Sequence, residues 1–303
     1  MTTDRRDAAA IGRPMRVTAL SFGDVSVETA LAVADREAAK GTDLLVLPET
    51  YRGQTDQTME PLDGPSLPAF AELARKHNTY VVLPIDRVDS AGRRFNTAVL
   101  IDRAGAAAGV YDKVFPVWME FDHRLPVQPG RHVAVFQADF GRLGLAICFD
   151  CNFPRVWDDL AAQDAEIVVW PSAYKGGLSL QAHAINHHYY VVTATKMNNV
   201  QVFDITGERI LDERGEDGVV ARVTLDLDRG IYHLDYNQAK LPGFLEKHGK
   251  DVLLEKTLAD EGWFVLRARR PGVSARELAR QAGLEELRTY LRRSREINPA
   301  LSS

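Results

Sequence analysis

The chain has 303 residues, of which 45% are hydrophobic and 26% are charged, and its formal net charge is −5. This is an ordinary globular composition; the negative charge argues against a general polyanion binder, and no apolar run approaches the roughly 20 residues of a membrane-spanning helix. The only cysteines are Cys148 and Cys151, so disulfides are excluded as the main stabiliser and a zinc site would need histidine ligands.

The first third of the chain alternates between strand and helix patterns. The predicted elements are a strand over 16–22, a helix over 26–40, a buried strand over 44–47, a helix over 66–78 and a buried strand over 80–85. The helices are indicated by apolar residues at helical spacing and the buried strands by uninterrupted apolar runs. This β-α-β order favours a layered α/β architecture.

The middle of the chain predicts further strands, several of which end in polar loops. The predicted elements are a hairpin of 95–102 and 106–111, strands over 133–136, 141–147, 167–170, 191–194, 200–204 and 219–225, and helices over 157–163 and 179–190. Residues 117–131 have no regular pattern, and long loops in compact domains are often functional.

After about residue 230 the pattern changes, and residues 242–268 are predicted to be largely irregular. A short strand is expected over 263–266, and Ser274 and Glu277 form a capping box that begins a C-terminal helix. One side of this helix is apolar, with Leu278, Leu284, Leu287 and Leu291. We expect it to pack on the body of the protein or on a second subunit. The tail from Glu261 onward is basic, and nucleic-acid contact is the alternative, although no second recognition helix is found.

These patterns divide the chain into three parts. Residues 1–14 are polar and alanine-rich without an apolar signal core, which predicts a flexible leader and a cytoplasmic protein. Residues 15–230 are expected to form the main domain, and residues 231–303 a C-terminal extension.

Three reactive side chains follow predicted strands. Cys148 stands between a small apolar strand and a turn, Glu49 follows the strand 44–47, and Lys113 follows the hairpin. A cysteine attacks as the thiolate, so it needs a base such as Glu49 and a positive group such as Lys113, which also stabilises an oxyanion. The backbone N–H of Phe149 is a candidate second oxyanion donor. The sequence therefore predicts a hydrolytic centre.

Other interpretations of the same residues remain open. Alone, Cys148 is more often a packed small hydrophobe, and Glu49 and Lys113 are more often loop or surface charges. The C-x-x-C spacing of Cys148 and Cys151 is a weak match to redox motifs, without a thioredoxin-like start before it. No histidine lies at these strand ends, so a Cys-His pair is not indicated.

Three sequence blocks resemble the signature of the nitrilase, or carbon–nitrogen hydrolase, superfamily. They are Leu-Pro-Glu at 47–49, Tyr-Asp-Lys-Val-Phe-Pro at 111–116 and Gly-Leu-Ala-Ile-Cys-Phe-Asp at 144–150. Supporting matches lie at 95–98, 153–154, 170–173 and 204–207, and the resemblance covers roughly 16–228. It implies a four-layer α-β-β-α sandwich, assembled as a homodimer or larger homo-oligomer, without a metal or organic cofactor.

The resemblance also implies a role for each reactive residue. Cys148 corresponds to the nucleophile, Glu49 to the general base and Lys113 to the oxyanion stabiliser, while Glu120 corresponds to a second glutamate that orients the lysine. The chain departs from the family pattern at two places: Arg155 replaces the glutamate after Phe-Pro, and 183–187 reads His-Ala-Ile-Asn-His.

The residues after the cysteine are closer to the amidase and carbamoylase branches than to true nitrilases. We therefore expect hydrolysis of a small non-peptide amide or N-carbamoyl substrate through a cysteine thioester, with release of ammonia. The candidate substrate-binding residues are Trp118, His123, Arg124, Phe149, Tyr174 and Lys175. Arg124, Arg155 or Lys175 is expected to hold a substrate carboxylate. The alternatives are nitrile hydrolysis to the acid, transfer of the acyl group to another acceptor, and a non-catalytic binding or scaffold protein.

Overall fold

The structure is a computed structural model and describes residues 2–3 and 11–297. These residues fall into two compact units. The first contains the described residues up to 3 and from 16 to 223, and the second contains those from 11 to 15 and from 224 to 297. Within the described residues, no helix has the length and apolar character needed to cross a membrane.

The helices are short, as expected for a layered α/β protein. They are α1 (Val27–Ala38), α2 (Ser66–His77), α3 (Trp118–Phe121), α4 (Pro154–Ala162), α5 (Leu178–His187), α6 (Leu241–His248), α7 (Ala275–Gln281) and α8 (Leu287–Ile297). A 3-10 turn spans Cys148–Asn152. The side chain of Ser26 accepts a hydrogen bond from Thr29 N–H, which confirms it as the N-cap of α1.

The strands form three sheets. In chain order they are β1 (Thr2–Thr3), β2 (Pro14–Ser21), β3 (Leu44–Val46), β4 (Tyr80–Val88), β5 (Arg94–Ile101), β6 (Ala107–Asp112), β7 (Val135–Gln137), β8 (Arg142–Leu145), β9 (Ile167–Ser172), β10 (Tyr190–Thr195), β11 (Asn199–Phe203), β12 (Arg209–Arg214), β13 (Val219–Asp226), β14 (Gly230–His233), β15 (Val252–Leu258) and β16 (Trp263–Ala268). The first sheet has the order β1-β13-β2-β3-β4-β5-β6, and the second has the order β12-β11-β10-β9-β8-β7.

The direction of the strands brings several strand ends to one edge. Strands β2, β3 and β4 are parallel to one another. Strand β5 is antiparallel to both of its neighbours, β4 and β6, so β6 runs in the same direction as β3 and β4. In the second sheet, β8 and β9 are parallel. The carboxyl ends of parallel strands share one edge of a sheet, which is where α/β proteins commonly carry function.

The two sheets face each other and helices cover their outer faces. Helices α1 and α2 pack on the first sheet around Phe70, and α4 and α5 pack on the second sheet around Trp157. Across the inner faces, Ser21 Oγ donates a hydrogen bond to Thr195 O at 2.5 Å and accepts one from Asn199 N–H at 2.8 Å. The predicted four-layer α-β-β-α sandwich is therefore confirmed.

The second unit has its own sheet and core. Strands β14, β16 and β15 are antiparallel in that order, and α6, α7 and α8 accompany them. The core is centred on Tyr232 and Phe264, whose rings stack at 5.5 Å between centroids. The prediction that residues 242–268 are irregular was wrong, because they contain most of α6 and the whole of β15. The short strand predicted over 263–266 lies within β16.

The prediction of one continuous C-terminal helix was also wrong. Helix α7 begins at the predicted cap, where Ser274 Oγ accepts from Glu277 N–H at 3.0 Å. The chain then turns through Gly283, whose φ of +73° lies in the left-handed region, and Leu284 N–H donates back to Ala279 O. This is a common helix ending, and α8 starts as a separate helix.

The predicted leader, residues 1–14, lies largely outside the described residues. Within it, residues 2–3 form β1, and the backbone N–H groups of Gly12 and Arg13 donate to the Asp226 carboxylate at 3.3 and 3.0 Å. The domain boundaries expected after residues 14 and 230 remain predictions.

Candidate active site

The segments predicted to carry reactive side chains meet at one edge of the facing sheets. Lys113 Nζ donates to Glu49 Oε1 at 3.0 Å and to Glu120 Oε2 at 2.8 Å. Lys113, Glu49 and Glu120 are 1%, 4% and 3% exposed, so the ion pairs are buried. The charges of Glu49 and Lys113 both act on Cys148, which is 7% exposed. Residues far apart in sequence thus form one polar cluster inside the sandwich.

The position of Lys113 is fixed by the end of β6. Its backbone N–H donates to Asn96 O at 2.8 Å, and its carbonyl accepts from Gly130 N–H at 2.8 Å. Burial lowers the pKa of Lys113, but the negative charges around it, Glu49 first, raise it above its ordinary value. The side chain is therefore held as an ammonium ion.

Glu120 lies on α3, inside the segment 117–131 that was predicted to be a loop. Its Oε2 accepts from Val117 N–H at 2.7 Å as well as from Lys113, and its Oε1 accepts from Gln54 Nε2 at 3.0 Å. Burial raises the pKa of this carboxyl, whereas the Lys113 ammonium and the neutral donors lower it, and the net shift is downward. Glu120 is consequently held ionised beside Lys113.

Glu49 has one bonded and one unbonded oxygen. Its Oε1 accepts from Lys113 Nζ at 3.0 Å and from Asn96 Nδ2 at 2.7 Å. Its Oε2 is buried and has no hydrogen-bond partner among residues 11–297. A buried carboxylate oxygen with a free lone pair is suited to accept a proton.

Cys148 occupies a strained corner between β8 and the 3-10 turn. Its φ of +47° lies in the left-handed region, which non-glycine residues seldom adopt and which occurs often at functional sites. Trp170 Nε1 donates to the Cys148 carbonyl at 2.9 Å and fixes this corner from β9. Burial raises the pKa of the Cys148 thiol, the Glu49 charge raises it further, and Lys113 offsets only part of this. The Cys148 side chain is therefore held as a neutral thiol.

A buried carboxylate that the sequence analysis did not single out joins two parts of the site. Asp150 Oδ1 accepts from Phe115 N–H at 2.9 Å, and its Oδ2 accepts from Tyr111 Oη at 2.7 Å and from Ile147 N–H at 2.9 Å. It therefore connects the segment around Lys113 to the Cys148 corner. The only sequence signal for Asp150 was its place at the end of the block 144–150.

Replacing Asp150 by alanine should destabilise the fold. The substitution leaves two buried backbone donors, Phe115 N–H and Ile147 N–H, without their acceptor, and we expect a loss of about 2–4 kcal/mol in urea unfolding. Asp159→Ala is the matched control, because its partly exposed pair with Arg155 should contribute less than about 1 kcal/mol. Equal unfolding midpoints for the two variants would contradict the connecting role of Asp150.

The segment 183–187, where the sequence departs from the family pattern, lies on α5 beside the 3-10 turn that begins at Cys148. His183 Nε2 is 2.9 Å from Cys151 O, and the His183 ring stacks on Trp157 with 4.2 Å between centroids. This histidine thus packs against the 3-10 turn that begins at Cys148. Cys148 and Cys151 are both free thiols.

The predicted substrate-binding residues differ in how close they lie to the cysteine. Phe149 directly follows Cys148 in the chain, and its ring packs edge-on against Phe153. The Tyr174 hydroxyl donates to Cys148 O at 3.4 Å. Trp118 precedes Glu120 on α3 and is 75% exposed.

The remaining three candidates make no hydrogen bond or ion pair to the cluster in the described structure. Arg124 is exposed and its Nε donates to Asp56 at 2.7 Å, His123 is half-buried, and Lys175 is exposed. The sequence analysis also missed Asn96 and Gln54, which donate to the carboxylates of the cluster. Asn96 lies in the supporting match 95–98, whereas no sequence signal indicated Gln54. Within residues 11–297, no group of three or more potential metal ligands is placed to hold an ion.

The chain is similar to known proteins both in sequence and in structure. The family model described as carbon-nitrogen hydrolase matches residues 9–228. An (R)-stereoselective amidase from a Pseudomonas species is 30% identical over 213 residues, which is 63% of this chain and 76% of that protein. A deaminated glutathione amidase from Yersinia enterocolitica is 27% identical over 188 residues, 54% of this chain and 65% of that protein. The matched segments span about half to two thirds of the length of the first curated relatives.

The solved structures support the fold. Saccharomyces cerevisiae Nit3, described as a member of branch 10 of the nitrilase superfamily, superposes with a TM-score of 0.64 at 19% identity, covering 77% of this chain and 96% of its own. The amidase from Nesterenkonia sp. AN1 in complex with butyramide gives a TM-score of 0.63 at 20% identity, with coverage of 77% and 96%. Since the family match extends over most of the sequence, the chain belongs to the carbon–nitrogen hydrolase family.

Proposed function

We propose that this protein hydrolyses a small non-peptide amide or N-carbamoyl compound through a thioester on Cys148 and releases ammonia. The observation that carries the proposal is the buried cluster of Glu49, Lys113 and Glu120, in which the charges of Glu49 and Lys113 act on Cys148. Buried charges without a structural or functional reason are costly, and this cluster provides the base and the positive group that a thiol needs.

In the first half of the proposed reaction, Glu49 Oε2 accepts the thiol proton and Cys148 Sγ attacks the carbonyl carbon. The negative charge that forms on the carbonyl oxygen is stabilised by Lys113 Nζ. An ammonium group has three N–H donors, and two of them are used on Glu49 and Glu120, so one remains for the oxyanion. The N–H of Phe149 is the proposed second donor.

In the second half, the tetrahedral intermediate collapses and the C–N bond breaks. Protonated Glu49 gives its proton to the leaving nitrogen, which departs as ammonia and leaves a thioester on Cys148. Glu49, ionised again, removes a proton from water, which attacks the thioester carbonyl carbon. The C–S bond then breaks, the acid is released, and Glu49 returns its proton to the departing Cys148 sulfur. Glu120 does not exchange a proton in this scheme; it holds Lys113 in place.

The proposed substrate class rests on the relatives and on the cations that were predicted to bind a substrate carboxylate. Several relatives are named as amidases, among them omega-amidases and a deaminated glutathione amidase. Of the cations expected to hold a substrate carboxylate, Arg124 pairs with Asp56 and Arg155 pairs with Asp159. Lys175 follows Tyr174, whose hydroxyl contacts the Cys148 carbonyl. We therefore propose Lys175 as the residue that favours amides carrying a carboxylate.

An ammonia-release screen tests the proposal. The panel contains neutral aliphatic amides, amides of dicarboxylic acids, N-carbamoyl amino acids and the corresponding nitriles. We expect release from amides or carbamoyl compounds and less from nitriles, with turnover absent in the Cys148→Ala variant. Release confined to nitriles would favour the nitrilase alternative, and no release from any class would favour a binding or scaffold role.

We also propose that the protein forms a homo-oligomer and is located in the cytoplasm. The family resemblance supports a homodimer or larger homo-oligomer, and the two free thiols fit a reducing compartment such as the cytoplasm.

A further inference from the structure

The side chain of Asn96 stands between the two carboxylates of the site. Its Nδ2 donates to Glu49 Oε1 at 2.7 Å and to Glu120 Oε1 at 2.8 Å, and the residue is 1% exposed. A side-chain amide nitrogen carries two hydrogens, so both of its donors are used on catalytic carboxylates. Asn96 lies on β5, and its own carbonyl accepts the backbone N–H of Lys113 at 2.8 Å.

The orientation of the amide follows from the charges around it. If the amide were flipped, Oδ1 would face two carboxylate oxygens, which are also acceptors, and the contacts would be repulsive. In the observed orientation Oδ1 is buried without a hydrogen-bond partner among residues 11–297. An unmet acceptor is unfavourable, so the two bonds to Glu49 and Glu120 determine how the group lies.

The amide also relieves an electrostatic problem. Glu49 and Glu120 share one ammonium, so the ionised cluster carries one excess negative charge in a buried site. Asn96 provides each carboxylate with one further donor without adding a charge. With the bond from Asn96, Glu49 Oε1 accepts two hydrogen bonds, the other coming from Lys113 Nζ. Oε2 is then the carboxylate oxygen without a hydrogen-bond partner among the described residues.

We propose that Asn96 is a positioning residue that fixes the rotation of the Glu49 carboxylate and keeps Oε2 available to the thiol. The inference rests on the proposed function, because it assigns Glu49 the role of the base. Gln54 donates to Glu120 Oε1 but makes no hydrogen bond to Glu49 in the described structure. Substitutions at Asn96 and at Gln54 can therefore be compared to distinguish an effect on Glu49 from an effect on Glu120.

The test compares Asn96→Leu and Asn96→Ser with Gln54→Leu in the full chain. Two quantities are measured against pH: kcat/KM for ammonia release, and the rate of Cys148 alkylation by iodoacetamide, followed by peptide mass spectrometry. Lys113 binds Glu49, Cys148 interacts with its charge, Glu120 shares the same ammonium, and Asp86 lies opposite Asn96 in the sheet. All four remain in every variant. Thermal unfolding identifies the variants that fold, and Asn96→Ser, which leaves room for water, replaces the leucine variant if that one does not.

Loss of Asn96 should lower kcat/KM by about 100-fold, mainly through kcat, because a misplaced base no longer meets the proton it removes. The acid-side fall of both pH profiles should move upward by about one pH unit, since the carboxylate loses a donor. Gln54→Leu should lower kcat/KM by less than about 10-fold and leave the acid side unchanged.

Two outcomes overturn the inference in different ways. If the wild-type protein releases ammonia but the Asn96 variants keep its pH profiles, the positioning role fails and the proposed function stands. If wild-type Cys148 is neither alkylated nor needed for any turnover, both proposals fail together.

Discussion

Replacing Cys148 by alanine should abolish ammonia release, with a loss of at least about four orders of magnitude, while the protein stays folded. Catalytic nucleophiles in related chemistry show losses on this scale, because the remaining groups cannot form the covalent intermediate. The side chain is small and 7% exposed, so alanine leaves little space unfilled. The measurement is kcat on the best substrate of the screen, together with thermal unfolding.

The chain contains a matched control for this experiment. Cys151 lies three residues later in the same 3-10 turn, is also buried and is also a free thiol. Cys151→Ser should retain turnover within several-fold of the wild type. Equal losses from the two substitutions would mean that the turn is simply damaged and that Cys148 has no special chemical role.

Replacing Lys113 by methionine should cost both stability and activity. The substitution leaves Glu49 and Glu120 buried, close together and without their shared cation, and breaking a buried pair in this way costs about 3–5 kcal/mol. Activity should fall by at least about 100-fold, since the oxyanion loses its charged donor. Urea unfolding at neutral pH gives the stability, and the ammonia assay gives the activity.

The free energy of unfolding that Lys113→Met loses should depend on pH in one direction. In the wild type, the pKa of Glu120 is lowered chiefly by Lys113 against the opposing effect of burial, so its contribution to stability is present above its unfolded pKa and is lost as pH falls through the folded pKa. Without the lysine that contribution disappears, and the stability gap between wild type and Lys113→Met should narrow in acid. Lys76→Met, which removes an exposed pair with Asp35, should cost less than about 1 kcal/mol at every pH. A gap that widens in acid would contradict this electrostatic account.

The sequence was sufficient to locate the meeting point of the reactive residues because strand ends follow a general rule. Glu49, Lys113 and Cys148 each follow closely on the end of a strand-like run. Parallel strands place such residues on one edge of a sheet. The direction of β6 depends on the hairpin with β5, which the turn at 102–105 also indicated. The layered fold and the juxtaposition of the three segments could therefore be predicted from local patterns.

The residues that support this site could not be predicted in the same way. Asn96 reaches two carboxylates only because β5 pairs with β6 in a register that places Thr97 opposite Asp112. Gln54 comes from an irregular segment, and Asp150 makes bonds to three separate strands or loops. Such contacts depend on register and packing, which a single sequence does not specify locally.

The prediction of one continuous helix after Ser274 failed for a local reason. The leucines after Ser274 continue at helical spacing across Gly283, so periodicity alone predicted one helix. The glycine can adopt a left-handed conformation at little cost, and the chain turns there before α8. Residues 241–258 lack long apolar periodicity, and α6 and β15 gain their order from the core around Tyr232 and Phe264.

The central claim is that acyl transfer passes through the sulfur of Cys148. Rapid acid quenching during turnover of the best amide, followed by peptide mass spectrometry, tests it most directly. The account predicts a mass increase equal to the acyl group on the peptide that contains Cys148, absent in Cys148→Ala and lost as the thioester hydrolyses. An acyl group on any other residue, or undiminished ammonia release by the Cys148→Ala protein, would contradict it.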